Sequence, residues 1–197
     1  RTMRKNNRDR ILETARRLFL KYGFNGISIR DIAAGARLTT GAIYFHFKNK
    51  RDIYAAICLE AVDLLIARFR EAVVAGTTPP QKLISTYDAY LSFYYENRDY
   101  YNILMEYRAA YEPDDTDDIA AKMRELVDLM AQTIGLGQEK SYYRSVSPLM
   151  AAMFLASVAE GMLQFKKIGM MESLRITDTE FRRCMDDIVW NGIKRES

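Results

Sequence analysis

The sequence predicts an all-α protein: a three-helix N-terminal head joined by a long helix to a helical body, about nine helices in total. Three observations carry this. Apolar residues recur at helical spacing along the whole chain, and no stretch alternates with the period of two of a half-buried strand. The breaks between periodic segments fall at helix punctuation, at Gly23, Gly76, Thr77-Thr78-Pro79-Pro80 and Gly135. Charge is uneven: residues 1–51 hold 13 Lys/Arg against 3 Asp/Glu, a net of +10, and residues 52–197 hold 16 against 23, a net of −7. The overall +3 therefore conceals a basic head on an acidic body, and it places a boundary between residues 1–51 and 52–197. At 197 residues and 49% apolar, the chain suits one compact unit or two small ones sharing a helix.

After a basic arm over residues 1–7, the first helix runs from about Arg8 to Tyr22. Ile11, Leu12, Ala15, Leu18, Phe19 and Tyr22 form its apolar stripe, and Gly23 stops it. Arg8, Arg10, Arg16 and Arg17 lie off the stripe within reach of backbone phosphates, but for any one of them a solvated face is the better reading. Ser28-Ile29-Arg30-Asp31 has the form of a capping box and opens a helix through Ala34. Gly35-Ala36-Arg37-Leu38 is the turn, and Thr39 caps the next helix. A helix, a turn of about four residues and a second helix is the arrangement in which the second helix enters the major groove of DNA. Ile43 and Phe47, four apart, face a small core. Gly41 leaves the backbone open to close approach, and Thr39, Thr40, Tyr44, His46, Lys48 and Lys50 offer hydroxyls, an imidazole and ammonium groups. That mixture suits phosphate positioning and shallow base contact, and the basic head is the matching electrostatic footprint.

The long helix spans about Asp52 to Ala75, with no flexible linker between it and the head. Helices over about Pro80–Glu96 and Arg98–Tyr111 follow. Eight of the thirteen tyrosines lie in residues 87–111. A buried Tyr needs a hydroxyl partner where Leu needs none, so the cluster reads as an aromatic pocket for a mainly apolar or aromatic small molecule. Its candidate lining is Tyr87, Tyr90, Phe93, Tyr94, Tyr101, Leu104, Met105, Met123, Met130, Phe154 and Met162. Ordinary amphipathic packing is the other reading of any single Tyr. A cationic ligand would want a buried carboxylate, for which Glu106 is the candidate. Asp114, Asp115, Asp117 and Asp118 sit without His or further carboxylates nearby and read as the acidic start of the next helix, not as a metal site. That helix ends near Gly135. Two more, about Tyr143–Ile168 with a bend near Pro148 and about Asp178–Lys194, close the chain. The apolar run Leu149–Ala159 stops at Glu160, short of the roughly 20 residues of a membrane span, and reads as a buried helix. Ala152, Ala156, Ala159, Phe181, Cys184, Met185 and Ile188, with Val189 and Trp190 beyond, exceed what one neighbour covers and point to a homodimer through a four-helix bundle. Cys58 and Cys184 lie in apolar patterns and read as reduced core thiols of a cytoplasmic protein.

From Ile11 to about Tyr54 the chain resembles the TetR family of transcriptional regulators. The first helix, Tyr22-Gly23-Phe24, Ser28-Ile29-Arg30-Asp31-Ile32-Ala33, the run Thr39–Phe47, Lys50 and Asp52 carry the resemblance. Arg37 departs from it, standing where the family commonly has Gly, so a turn requiring positive φ would be strained there. The resemblance implies a homodimer on a palindromic double-stranded DNA operator, released when an effector of unknown identity binds the body. It puts Thr40 and Gly41 at base edges, Ala42 and Phe45 at thymine methyls, and Ser28, Thr39, Tyr44, His46 and Lys50 at phosphates, with Lys48 in support. A constitutive DNA-binding dimer without an effector is the alternative. No nucleophile–base pair, phosphate loop or metal cluster supports an enzyme, and the single histidine lies inside the motif. No metal, cofactor or membrane partner is expected.

Overall fold

The computed structural model describes residues 6–110 and 118–194, and only the backbone of Ala110, Val189 and Trp190. Among them every regular element is helical. α1 (Asn7–Tyr22), α2 (Ile29–Ala36) and α3 (Thr40–His46) precede α4 (Lys50–Ala75), α5 (Pro79–Glu96), α6 (Arg98–Ala110) and α7 (Asp118–Glu139). α8 (Pro148–Lys167), the short α9 (Met170–Ser173) and α10 (Asp178–Met185) follow, and a π-helical turn Asp186–Trp190 leads into α11 (Asn191–Ile193). The chain forms two compact units, the first from Arg1–Leu65 and Phe93–Met123, the second from Ile66–Ser92 and Arg124–Ser197. The basic segment 1–51 lies within the first.

Local chemistry explains the boundaries. Asn6 caps α1 by accepting from the Asp9 N–H at 2.9 Å, and Gly23 closes it at φ 71. Ser28 and Asp31 complete the capping box of α2 reciprocally. α2 ends at Arg37 in the left-handed region, φ 55 and ψ 47, where a side chain costs about 1 kcal/mol or more against Gly. The anticipated strain at Arg37 is present. Thr39 caps α3 through the Ala42 N–H, and Thr177 with Glu180 forms the second capping box, at α10.

The core of the first unit gathers Ile11, Leu12, Ala15 and Phe19 of α1, Ile32 and Ala36 of α2, Ile43 of α3, and Ile53, Tyr54 and Ile57 of α4. Phe19 stands edge-on to Tyr54 at 4.7 Å, and Phe24 and Tyr107 complete the ring cluster at 5.1 and 5.8 Å from Tyr54. Arg16 lies over the Tyr100 ring at 4.5 Å, and the Tyr100 hydroxyl donates to Glu60 at 3.2 Å, which joins α1, α6 and α4. Burial raises that phenol above its ordinary value, with the Arg16 charge opposing the shift and Glu60 adding to it.

Two helix ends differ from expectation. α7 passes Gly135 and ends at Glu139. Within it a Cβ at Gly137 would meet the Tyr143 ring at 2.2 Å, so Gly137 serves a close approach. α8 begins at Pro148 and not at Tyr143, with Ser147 as its cap. Tyr143 instead pairs with Lys194 in an isolated antiparallel bridge. Burial raises its phenol, whose oxygen has no hydrogen-bond partner among the described residues. The arm over residues 1–5, Tyr111 and the aspartates before Asp118 lie outside the described residues.

Candidate nucleic-acid interface and effector body

α3 is a helix of seven residues whose inward side is one fully buried Ile43, backed by Phe47. Thr39, Thr40, Gly41, Tyr44, His46 and Lys48 are exposed, and Ala42 is half-buried. Phe45 is 84% exposed, its ring edge-on to His46 at 5.1 Å. Ser28 is exposed but engaged: its hydroxyl donates to Asp31 at 2.6 Å and accepts from the Asp31 N–H. The bond from the hydroxyl, and then one from the Ser28 N–H, hold the Asp31 carboxyl below the usual aspartate value.

Lys50 stands differently from its expected place on a phosphate. It is half-buried, and its ammonium donates to Phe24 O at 2.6 Å and Ile27 O at 2.7 Å while lying 4.3 Å from the Phe24 ring centroid. It ties the α1–α2 loop to the start of α4. Two other cations of the head also have partners on it, the half-buried Arg10 and the exposed Arg8. Arg10 donates to Ala36 O at the end of α2, and Arg8 lies over the Phe47 ring at 5.6 Å. Arg30 and Arg37, which periodicity had not singled out as contacts, are exposed on the head.

The candidate pocket residues fall in both units. In the first, Phe93, Tyr94, Tyr101 and Leu104 are buried, and Met105 and Met123 are half-buried. Tyr94 stands edge-on to Tyr101 at 4.9 Å and accepts from Arg98 at 3.2 Å. In the second, Tyr87, Met130 and Met162 are buried, and the Tyr87 hydroxyl lies 3.6 Å from Met162 Sδ. Tyr90 donates to Glu160, whose other oxygen accepts from Gln164 at 2.6 Å. Glu160 is thus the half-buried acid beside a cluster tyrosine, whereas Glu106 is exposed. The legible signal was an acid set into the apolar run of α8. A groove of about 580 Å³ lies in the first unit between α1 and Asp99; it is lined by Glu13, Thr14, Arg16, Arg17, Leu20 and Lys21, and by none of the cluster tyrosines. Among the described residues no group of three or more candidate metal ligands occurs.

Residues 11–57 match bacterial regulatory proteins of the tetR family, and residues 76–179 match the tetracyclin repressor-like C-terminal domain. The chain belongs to the TetR family. Among its relatives is the transcriptional repressor KstR2 of Mycolicibacterium smegmatis, 30% identical over 84 residues, 43% of this chain and 41% of that protein. The match thus spans about two-fifths of that relative's length. A protein of unknown function from Rhodococcus sp. RHA1 superposes with a TM-score of 0.84 at 19% identity, covering 98% of both chains. AibR, solved in complex with isovaleryl coenzyme A and operator DNA, gives a TM-score of 0.66 at 23% identity over 78% of this chain and 84% of its own.

In this TetR-family chain the candidate dimer residues divide. Ala152, Ala159 and Met185 are buried within the chain itself and have no surface to give a partner. Ala156 and Phe181 are half-buried, while Cys184 and Ile188 are exposed, so Cys184 is not a core thiol. Ala152 and Ala159 turn inward together with Leu155, Met162 and Leu163, and a second set of large residues is left outside. The open face holds Leu149, Met150, Met153, Phe154, Phe165 and Ile168 at helical spacing. Phe154, a candidate for the pocket, belongs to this face at 58% exposure. α8 is therefore not the buried helix expected of it. It is long and apolar enough to cross a membrane by length and composition, yet it carries Glu160 bonded to Tyr90 of α5. The side chains of Val189 and Trp190 lie outside the described residues.

Proposed function

We infer that the protein is a homodimeric, ligand-responsive repressor that leaves a palindromic operator when a mainly apolar or aromatic small molecule binds its C-terminal body. The observation that carries the reading is α3, which presents Thr40, Gly41, Tyr44 and an 84% exposed Phe45 above a buried Ile43. Residues 1–51 form the DNA-binding part and 52–197 the ligand-binding and dimerisation part. Thr40 and Gly41 approach base edges, Ala42 and Phe45 meet thymine methyls, and Thr39, Tyr44, His46 and Lys48 hold phosphates. The open apolar face of α8 with Ile188 is covered by a second copy, and two-fold symmetry then sets the half-site spacing. The similarity to AibR, solved in complex with isovaleryl coenzyme A and operator DNA, supports an effector here. An effector releases DNA only through its differential affinity for the two states of the body. A protein of this kind works on cytoplasmic DNA and needs no catalysis.

The constitutive dimer draws support from the engagement of Tyr87, Tyr90 and Tyr100 with protein partners. A thermal-shift screen of aromatic, fatty-acyl and cationic compounds decides between the two, with each hit retested for operator affinity at fixed salt. A compound that raises the melting temperature and weakens operator binding supports the sensor. Operator binding unchanged by every compound leaves the constitutive dimer.

A further inference from the structure

We propose that Arg37 is a phosphate-binding residue, a guanidinium carried beside the recognition helix to contact the backbone of duplex DNA. This rests on the reading of the head as a DNA-binding surface. The backbone of Arg37 is left-handed, a conformation in which glycine sits without penalty. The turn itself needs only main-chain groups: the Arg37 N–H donates to Ala34 O at 3.1 Å, and the Leu38 N–H donates to Ala33 O at 2.9 Å. Glycine would make both bonds, so the side chain is not what builds the turn. Nor does it stabilise the folded chain elsewhere. It is exposed, and among the described residues no hydrogen bond, ion pair or ring contact holds it.

The charge is uncompensated as well. Asp31 is the one acidic residue between Glu13 and Asp52, and its carboxylate is occupied by the capping box with Ser28. Lys50, Arg8 and Arg10 are held by carbonyls or rings of the head, which Arg37 is not. Arg37 also stands two residues before Thr39, the cap of α3, at the end of that helix that carries Thr40 and Gly41. A cation held in a strained backbone, without a partner, at the leading end of a groove-entering helix fits an anion supplied from outside. A guanidinium suits the paired oxygens of a phosphate diester.

The test measures binding to two duplexes as a function of salt: one of mixed sequence, about 30 base pairs long, and one selected from a random pool by the wild-type protein. Arg37→Gln keeps the strained backbone and removes the charge. Arg37→Gly removes both, and Arg37→Lys keeps a charge. Each phosphate contact contributes about 0.9 to the slope of log affinity against log salt. R37Q and R37G are expected to lose about one unit of slope and about tenfold in affinity at about 0.1 M salt, with R37K keeping the wild-type slope. R37G is also expected to melt above wild type, so that its weaker binding is not a folding defect. An unchanged slope in R37Q and R37G overturns the proposal, as does an R37K that behaves like R37Q. If wild type itself binds neither duplex with salt dependence, the DNA-binding reading fails first, and that result is distinct from either of these.

Discussion

Lys50→Met tests whether the start of α4 is tied to the head or reaches for DNA. The substitution keeps an unbranched stem over the Phe24 ring and removes the ammonium that now holds Phe24 O and Ile27 O at 2.6 and 2.7 Å. A hydrogen bond from a charged donor contributes about 1.5–3 kcal/mol, and half-burial places both bonds at the lower end, giving a loss of roughly 2–4 kcal/mol. For a chain of this length each kcal/mol moves the melting temperature by about 2–4 °C, so a drop of about 4–16 °C is expected in calorimetry. Protein concentration must be fixed, because dimerisation adds its own dependence. The second reading is the salt slope of DNA binding, which a phosphate contact would lower by about 0.9 on removal and an internal tie would leave alone. An unaltered melting temperature together with a slope reduced by about one would refute the internal tie and return Lys50 to the phosphates.

Phe45→Ala should leave the melting temperature within the scatter of surface substitutions, about 0.5 kcal/mol, while weakening operator binding at least tenfold by fluorescence anisotropy. Asp31 has a depressed carboxyl in the folded state, so its contribution is complete above the ordinary value of 3.8 and is lost as pH falls through the folded value. Wild type should therefore melt above Asp31→Asn near neutral pH, and the two should converge as acid is added; a gap that persists at the acid end would contradict the capping box. Phe154→Asp should shift sedimentation toward the monomer with the helical signal intact. Ala159→Asp, placing a charge among buried groups, should instead unfold the chain, and similar behaviour of both variants would mean that the open face of α8 has been misassigned.

The helices of the head were legible because their signals are local. Gly23, Ser28 with Asp31, and Thr39 each act within a few residues of themselves, so spacing located α1, α2 and α3, although the Asn6 cap of α1 lay in the stretch read as an arm. The inward Ile43 and the outward Tyr44 and Phe45 follow from the same 3.6-residue period. At Arg37 only the departure from the family resemblance was visible, and the positive φ that makes it strained belongs to the folded turn.

What the sequence could not specify depends on which distant group arrives. Gly135 looks like a stop, but α7 continues to Glu139, and it is Gly137 that the Tyr143 ring closes onto. Lys50 looks like a phosphate ligand, but the carbonyls of Phe24 and Ile27, more than twenty positions away, reach its ammonium first. Glu160 looks like the end of an apolar run, yet Tyr90 of α5 gives its carboxylate a partner. The alanines of α8 and its larger residues share one apolar pattern, and only packing decides that Ala152 and Ala159 turn inward while Phe154 and Ile168 remain open. Periodicity reports that a side chain prefers to leave water. Which surface receives it is set by the shape of the neighbours, and that exists only once the chain has folded.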